Sequence, residues 1–340
     1  MEAGFVAVAA LMAIMPVPLL AWGDEGHKIT AQIAYQLLTP RAHNNVLAVL
    51  EGETVDAVAV WPDALKRAGD ECPVPVAKNC NPNYRPETAQ WHFVDMPLSE
   101  SQFDPGAEYC RPTRYGDCIV PAIEGFRDIL NRSTKRAFAG NTAEQKRKLN
   151  DALSFIVHFL GDIHQPLHCA DNEGDGGGNN VLVTWQGEPP YKYEDHIWNL
   201  HAVWDEYLVD RNILTMAPGK QTYDSYATSL LEKLSPAERN YAQLKSQSIE
   251  NGQPENVIAW AEGSHALART AAYVLPSKTV KKSSIGLKKT DPQGNPKDII
   301  VLDEKYFTDN MAAVERQLRL GGVRLARILN EIYDKDIPAH

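Results

Sequence analysis

Apolar positions along the chain recur mostly with a helical period. Ile29, Ile33 and Leu37 are spaced four apart, which marks an amphipathic helix. Pro40 stops that helix and suits the start of a second, with Thr39 as its cap, running to about residue 52. In VDAVAVWPDALKRAG, Pro62 predicts the first turn of a helix, and Asp63 and Lys66 then sit on adjacent turns of one face. Residues 119–130 have helical spacing. Thr142 with Gln145 makes a capping box that opens a long helix through Asp162. Further helices are predicted over 195–210, 223–247, 254–274 and 304–333, the last with Leu318, Val323, Leu325 and Leu329 on its apolar face. Strand signals are few: VLVTW, and WHFVDMP at 91–97, where Trp91 and Phe93 alternate with His92 and Val94. The rest of 70–120 reads as loops, GDGGGNN as a flexible turn, and the Lys-rich 276–298 as a solvated loop. The expected class is mainly α.

Composition narrows the picture. The 340 residues are 44% hydrophobic and 23% charged, which suits one large domain or two smaller ones. No internal repeat or long linker divides them. A net charge of −10 argues against nucleic-acid binding through a broad basic face, but it leaves room for a small, intensely positive site. Residues 5–21 form an apolar run without a charge. It is short for a spanning helix and fits a signal-peptide core ending at Ala21. The expected division is therefore a signal peptide, 1–21, and one domain, 22–340. Glu2 in place of a basic residue and Leu19 at position −3 keep an N-terminal anchor open as the alternative. Four of five cysteines form two local pairs, Cys72 with Cys80 and Cys110 with Cys118. In an exported protein that spacing suggests disulfides, although other pairings remain open. Cys169 is left over, as a zinc ligand or a small buried filler.

The candidate chemistry centres on residues 150–180. His158 and Asp162 are four apart against Phe155, Ile156, Phe159 and Leu160, so they share one helix face. Buried charges are paired or bind metal. One such pair reads most simply as a hydrogen bond in a core helix. A second pair, His201 and Asp205, together with His27, His92, His168 and Asp63 in aromatic or apolar settings, points to a multinuclear metal site. Iron or manganese fits these ligand types as well as zinc. GDGGGNN lacks the Lys-Ser/Thr of a phosphate-binding P-loop.

WGDEGH, WPDALK, WHFVD, HFLGDIHQPLH, GGN and NLHAVWD follow one another in the chain. They resemble the successive motifs of the type I single-strand-specific nucleases, secreted zinc enzymes also called 3′-nucleotidase/nucleases and similar in fold to bacterial zinc phospholipase C. The resemblance covers residues 22–205, and VERQLRLGGVRLARILN resembles the family's end. It implies a single-domain, multi-helix fold with a cleft for three zinc ions. Asp63, His92, His158 and Asp162 would hold the first zinc. His168, His201 and Asp205 would hold a second, more exposed one. The amino nitrogen and carbonyl of Trp22, with His27 and Asp162, would hold the third, which requires cleavage after Ala21.

The same resemblance makes Phe93 the base-stacking ring, Asp95 the base-reading carboxylate, and Lys66 and Asn179 the contacts to the scissile phosphate. A core-packing role for Phe93 stays open. Asp63 would orient the attacking water. The implied function is hydrolysis of single-stranded DNA and RNA to 5′-phosphorylated products, with 3′-nucleotides as further substrates, by a monomer that is secreted or periplasmic and free of the membrane after cleavage. The alternatives are a zinc phospholipase C and a non-catalytic zinc-binding protein.

Overall fold

A computed structural model describes residues 22–70, 86–111, 117–133, 142–185, 198–250, 252–280 and 298–335. It is mainly helical. Helices α1 (Asp24–Gln36), α2 (Pro40–Leu50) and α3 (Val55–Asp70) lead into α4 (Ile119–Ser133) and α5 (Ala143–Asp162). The cap expectations hold. Thr39 Oγ1 accepts the Ala42 N–H at 3.2 Å with Pro40 in the first turn, and Thr142 and Gln145 exchange both capping-box bonds. These contacts satisfy N–H groups that the first turn of a helix cannot. The proposed signal peptide and the Cys72–Cys80 pair lie outside the described residues. Cys110 and Cys118 are joined in a disulfide.

Several expected boundaries move. The α3 helix starts at Val55 rather than at Pro62, which lies inside it. Thr54 supplies the start by accepting the Ala57 N–H, and Pro62, having no N–H, cannot bond Val58 one turn back. In WHFVDMP, the first two residues close a 3-10 turn, Pro86–His92, and the chain runs extended only from Phe93. The expected 195–210 helix is several pieces: strand β2 (Trp198–Asn199), α6 (Leu200–Ala202), a π-helical segment (Val203–Tyr207) and α7 (Leu208–Leu214). The 223–247 helix divides into α8 (Tyr223–Glu232) and α9 (Pro236–Ala242), because Ser235 and Glu238 form a new capping box in front of Pro236. α10 (Val257–Leu267) ends in a second π segment, Ala268–Ala272. Part of the 276–298 stretch is strand. β1 (Leu182–Trp185), β3 (Thr279–Val280) and β4 (Ile299–Leu302) join β2 in a sheet ordered β2-β1-β4-β3. Only the β1–β4 pairing is parallel.

The long terminal helix α11 (Glu304–Tyr333) is the spine against which α1, α2, α5 and α9 pack. Two adjacent glycines permit the closest approach. A Cβ on Gly322 would stand 2.4 Å from Ile33 Cγ2, and one on Gly321 3.0 Å from the Leu160 carbonyl oxygen. Asn330, fully buried, then fastens three elements. Its Nδ2 donates to the carbonyls of Leu37 and Ala242, and its Oδ1 accepts the Thr39 N–H. Each would otherwise be a helix-end group taken out of water, at a cost of about 1–3 kcal/mol. This frame sets α1, α3 and α5 side by side, with their polar residues meeting inside.

Candidate metal centre

Three long helices, two 3-10 turns, a short helix and a π segment deliver imidazoles and carboxylates to one interior region. From α3 comes Asp63, from α5 come His158 and Asp162, and the 3-10 turn ends on His92. His158 Nε2 lies 3.1 Å from His92 Nδ1, 3.2 Å from Asp162 Oδ2 and 3.5 Å from Asp63 Oδ1. On the other side of Asp162, His27 from α1 brings Nε2 to 3.3 Å from Oδ1 and stacks on His158 with ring centroids 3.8 Å apart. That stacking needs Gly161, where a Cβ would sit 2.6 Å from His27 Nδ1.

A second cluster lies next to the first. A 3-10 turn, Pro166–Cys169, presents His168, while α6 and the π segment present His201 and Asp205. His201 Nε2 is 3.1 Å from His168 Nε2 and 3.3 Å from Asp205 Oδ2. The two clusters are tied together by backbone. Val94 N–H donates to the His168 carbonyl and Asp171 N–H to the Met96 carbonyl, so the extended run after His92 is docked beside the run after His168. That run alternates: Val94 and Met96 are buried, whereas Phe93 and Asp95 share the partly exposed side.

Tautomers follow from the neighbours. The Nδ1 of His158 faces the Ala59 carbonyl at 2.7 Å, that of His168 faces the His92 carbonyl at 2.8 Å, and that of His201 faces the Gly177 carbonyl at 2.7 Å. A carbonyl only accepts, so each Nδ1 carries a proton and each Nε2 is directed toward its cluster, with a lone pair there whenever the ring is neutral. Two such lone pairs at 3.1 Å, in His168 and His201, repel unless a cation stands with them, either a proton or a metal ion. Donors on a tetrahedral zinc stand roughly 3.4 Å apart, given bonds of about 2.0–2.2 Å. The observed separations match that spacing. Three sets of ligand atoms, His27/His158/Asp162, Asp63/His92/His158 and His168/His201/Asp205, each gather within 4.8 Å.

Electrostatics points the same way. Burial would depress His158, but the Asp162 and Asp63 carboxylates outweigh it and push His158 up to about 10. Burial opposes ionisation of Asp162 too, yet His158, His27 and His92 hold it well below the usual carboxylate range. Asp205 goes the other way: burial, with Glu206 and the other carboxylates near, drives it well above that range. Its Oδ1 accepts from Gln165 Nε2 at 2.6 Å. Burial and His158 lower His27, and among the described residues neither its ring nitrogens nor Asp162 Oδ1 makes a hydrogen bond of good geometry. Buried carboxylates and imidazoles in this state are a ready seat for cations.

Of the other expected residues, Trp22 is fully buried against Gly26, and Gly23 N–H reaches the Asp205 carbonyl at 2.7 Å. Asn179 spends one Nδ2 hydrogen on the Gly176 carbonyl and keeps a second. The Lys66 side chain lies outside the described residues. GDGGGNN is pinned rather than loose, since Asp171 and Asp175 accept three of its backbone N–H groups. Cys169 is buried with its thiol pushed up by burial, the filler rather than a member of any cluster. Sequence reasoning passed over Gln165, Gly161 and His164. Gln165 sits between two ligand positions in an otherwise apolar run, which is a readable signal. His164 turns away from the clusters, with Nδ1 on the Leu160 carbonyl and Nε2 accepting from Arg324.

The profile of the S1/P1 nuclease family matches residues 22–334. The chain belongs to that family. Endonuclease 1 of Arabidopsis thaliana is 28% identical over 321 residues, 93% of this chain and 88% of that protein. Nuclease S1 of Aspergillus oryzae is 30% identical over 248 residues, 71% of this chain and 68% of that protein. Nuclease P1 of Penicillium citrinum is 26% identical over 325 residues, 93% and 99% of the two. The S1/P1 match begins at Trp22, so it takes in every residue of both clusters.

Proposed function

We propose that this S1/P1 family member is a zinc-dependent nuclease that cuts single-stranded DNA and RNA to 5′-phosphorylated products and removes phosphate from 3′-nucleotides, acting outside the cytoplasm once residues 1–21 are removed. The observation that carries this reading is the pair of Nε2 atoms 3.1 Å apart in His168 and His201, oriented by Nδ1–carbonyl bonds. Asp63, His92, His158 and Asp162 would hold one ion, and His168, His201 and Asp205 a second. His27, Asp162 and the freed amine and carbonyl of Trp22 would hold a third. When bound, zinc supplies positive charge for phosphate and lowers the pKa of water toward neutrality. This removes the objection from a net charge of −10, because substrate recognition then needs a compact cationic site and no broad basic surface.

The chain's own residues do the rest. Asp63 orients the attacking water in line with the departing 3′ oxygen. Lys66 and the spare Nδ2 hydrogen of Asn179 stabilise charge on the non-bridging oxygens. Phe93 stacks on a base and Asp95, on the same side of the extended run, reads its edge. Stacking is worth roughly 1–3 kcal/mol per base and needs an unpaired base, which is the physical source of single-strand preference. The test is metal analysis and amino-terminal sequencing of the mature protein, with assays on single-stranded DNA, RNA, 3′-nucleotides and phosphatidylcholine micelles. Chelator-sensitive cleavage of the first three is expected. Turnover of the lipid alone, or metal-free protein with full activity, would sink the reading.

A further inference from the structure

We infer that Tyr273 is a positioning residue: by fixing the Asp175 carboxylate, its hydroxyl shapes the glycine turn that both orients His201 and presents Asn179. The inference deepens the zinc nuclease reading and rests on it.

The turn cannot hold its own shape. Gly176, Gly177 and Gly178 all have positive φ, at 64°, 61° and 81°, and glycine populates both signs of φ freely. Side chains beside the glycines must select this conformation. Asp171 accepts the Gly174 and Gly176 N–H groups, and Asp175 holds the stretch that carries Gly177. Asp175 Oδ1 accepts the N–H of Asn172 at 3.1 Å and that of Gly178 at 3.0 Å. Between those bonds lies Gly177, whose carbonyl takes the Nδ1 proton of His201. Gly177 is also wedged against the metal-side turn, since a Cβ there would come within 2.4 Å of the Leu167 carbonyl oxygen. Asn179 follows, with its backbone N–H and Nδ2 both on the Gly176 carbonyl.

Asp175 is itself buried, and a buried carboxylate needs fixed donors. Tyr273 provides one from a different part of the fold. Its hydroxyl lies 2.9 Å from both Asp175 oxygens, so one proton is shared across the carboxylate. The tyrosine directly follows the π segment Ala268–Ala272, and its backbone N–H closes that segment on the Ala268 carbonyl. Such bulges are frequent at functional sites, and this one puts the ring where α10 ends beside the glycine turn. The path is short: Tyr273 O–H to Asp175, Asp175 to the N–H of Gly178, and the neighbouring Gly177 carbonyl to His201. Among the described residues the Tyr273 hydroxyl bonds Asp175 and none of the clustered ligand atoms, so its influence on them runs through the turn.

The experiment compares zinc release from the full-length mature protein, wild type and Tyr273→Phe, under a graded chelator, with bound zinc counted by elemental analysis at each step. In the variant the zinc held by His201 should bind about tenfold more weakly, since loss of an outer partner of a metal-bound histidine costs roughly 10–100-fold in affinity. The remaining zinc should leave at wild-type chelator concentrations, and KM for single-stranded DNA should rise as Asn179 loosens. Asp175→Asn should mimic the effect, and the double variant should add little to either single change. A release curve identical to wild type, or an equal loss of all zinc tracking a fall in melting temperature, overturns the inference. Wild-type protein that binds no zinc overturns the metal reading itself, an outcome visible before any variant is made.

Discussion

The inner cluster of Asp63, His92 and His158 stands mainly on α3 and α5, whereas the outer cluster of His168, His201 and Asp205 stands on a 3-10 turn, a short helix and a π segment. The inner ligands are packed within helices that meet the core on several sides, and His92 and His158 are fully buried. The outer ligands depend on turns, and His201 retains 6% exposure. Position in the inner cluster is thus inherited mainly from side-chain packing, which changes only with the whole fold, supplemented by the Ala59 carbonyl on His158. Position in the outer cluster is inherited from a few hydrogen bonds: Gly177 on His201, His92 on His168 and Gln165 on Asp205. The inner half should therefore behave as part of the scaffold, and the outer half as an adjustable seat.

The largest effect that tests this contrast is the loss of one ligand from each half. His158→Ala should lower cleavage of single-stranded DNA and dephosphorylation of 3′-nucleotides together by about 10³-fold, or roughly 4 kcal/mol of barrier. It should also lower the melting temperature, because it leaves Asp63 and Asp162 without their bridging ring. His201→Ala should lose activity but recover part of it in excess zinc, with the melting temperature of the metal-free protein nearly unchanged. Recovery of both variants by zinc, or of neither, would remove the distinction. Survival of one activity in His158→Ala would remove the single shared site.

Gly161→Ala comes next. The added methyl would meet His27 Nδ1 at 2.6 Å, and α1 would have to move off α5. Overpacking of this kind costs typically about 1–3 kcal/mol, and zinc content should fall by one as His27 is displaced. Gly125→Ala on α4 is the control, since nothing lies within 4 Å of its Cβ. Replacing that helical glycine should raise stability by about 0.5–1 kcal/mol. Urea unfolding of both variants, with zinc counted alongside, reads the two effects. Equal responses would show that the α1–α5 contact is not what seats His27.

Gln165→Leu probes the outer half more gently. Gln165 Oε1 accepts the Leu167 N–H, and its Nε2 holds Asp205 Oδ1, leaving Oδ2 turned to His201. Without it Asp205 can rotate, and affinity for the outer zinc should fall by about tenfold, with the inner zinc unaffected in a chelator titration. An unchanged outer affinity would mean that Asp205 is held by its π segment alone.

The same contrast explains how much of the molecule was legible before its structure. The inner half could be read because α5 carries His158 and Asp162 at helical spacing, and they meet at 3.2 Å as that spacing requires. The second pair was found by the same rule, although a π turn begins at Val203 between its members. What the period does not carry is the partnership between segments. Nothing in WHFVD says that Val94 will donate to the His168 carbonyl, or that α11 will approach α1 through Gly322; those contacts depend on which surfaces meet. The misplaced helix starts have opposite causes. Pro62 reads as a beginning but lies inside a helix that Thr54 starts, whereas Pro236, inside the expected 223–247 helix, does open one behind the Ser235 cap. Of the sheet, VLVTW shows in the sequence and becomes β1, whereas β2 and β3 are two residues long, too short for an alternating pattern to register.

The smallest effect concerns Asp95, at the partly exposed edge beyond His92. Burial first, and then the Asp171 and Asp175 carboxylates, push Asp95 up to about 7. Below that pH it is protonated and offers one donor and one acceptor. Above it both oxygens only accept. A base edge with two adjacent N–H donors, as in guanine, therefore suits the ionised form, and an edge with one donor and one acceptor, as in adenine, suits the neutral acid. As pH falls through about 7, KM should rise severalfold for guanine-containing substrates and fall for adenine-containing ones. Asp95→Asn carries a donor and an acceptor at every pH, so it should hold the adenine-like preference throughout. Parallel pH profiles of KM for the two bases in the wild-type protein would mean that Asp95 does not read the base, and that selectivity at this edge comes from stacking on Phe93 alone.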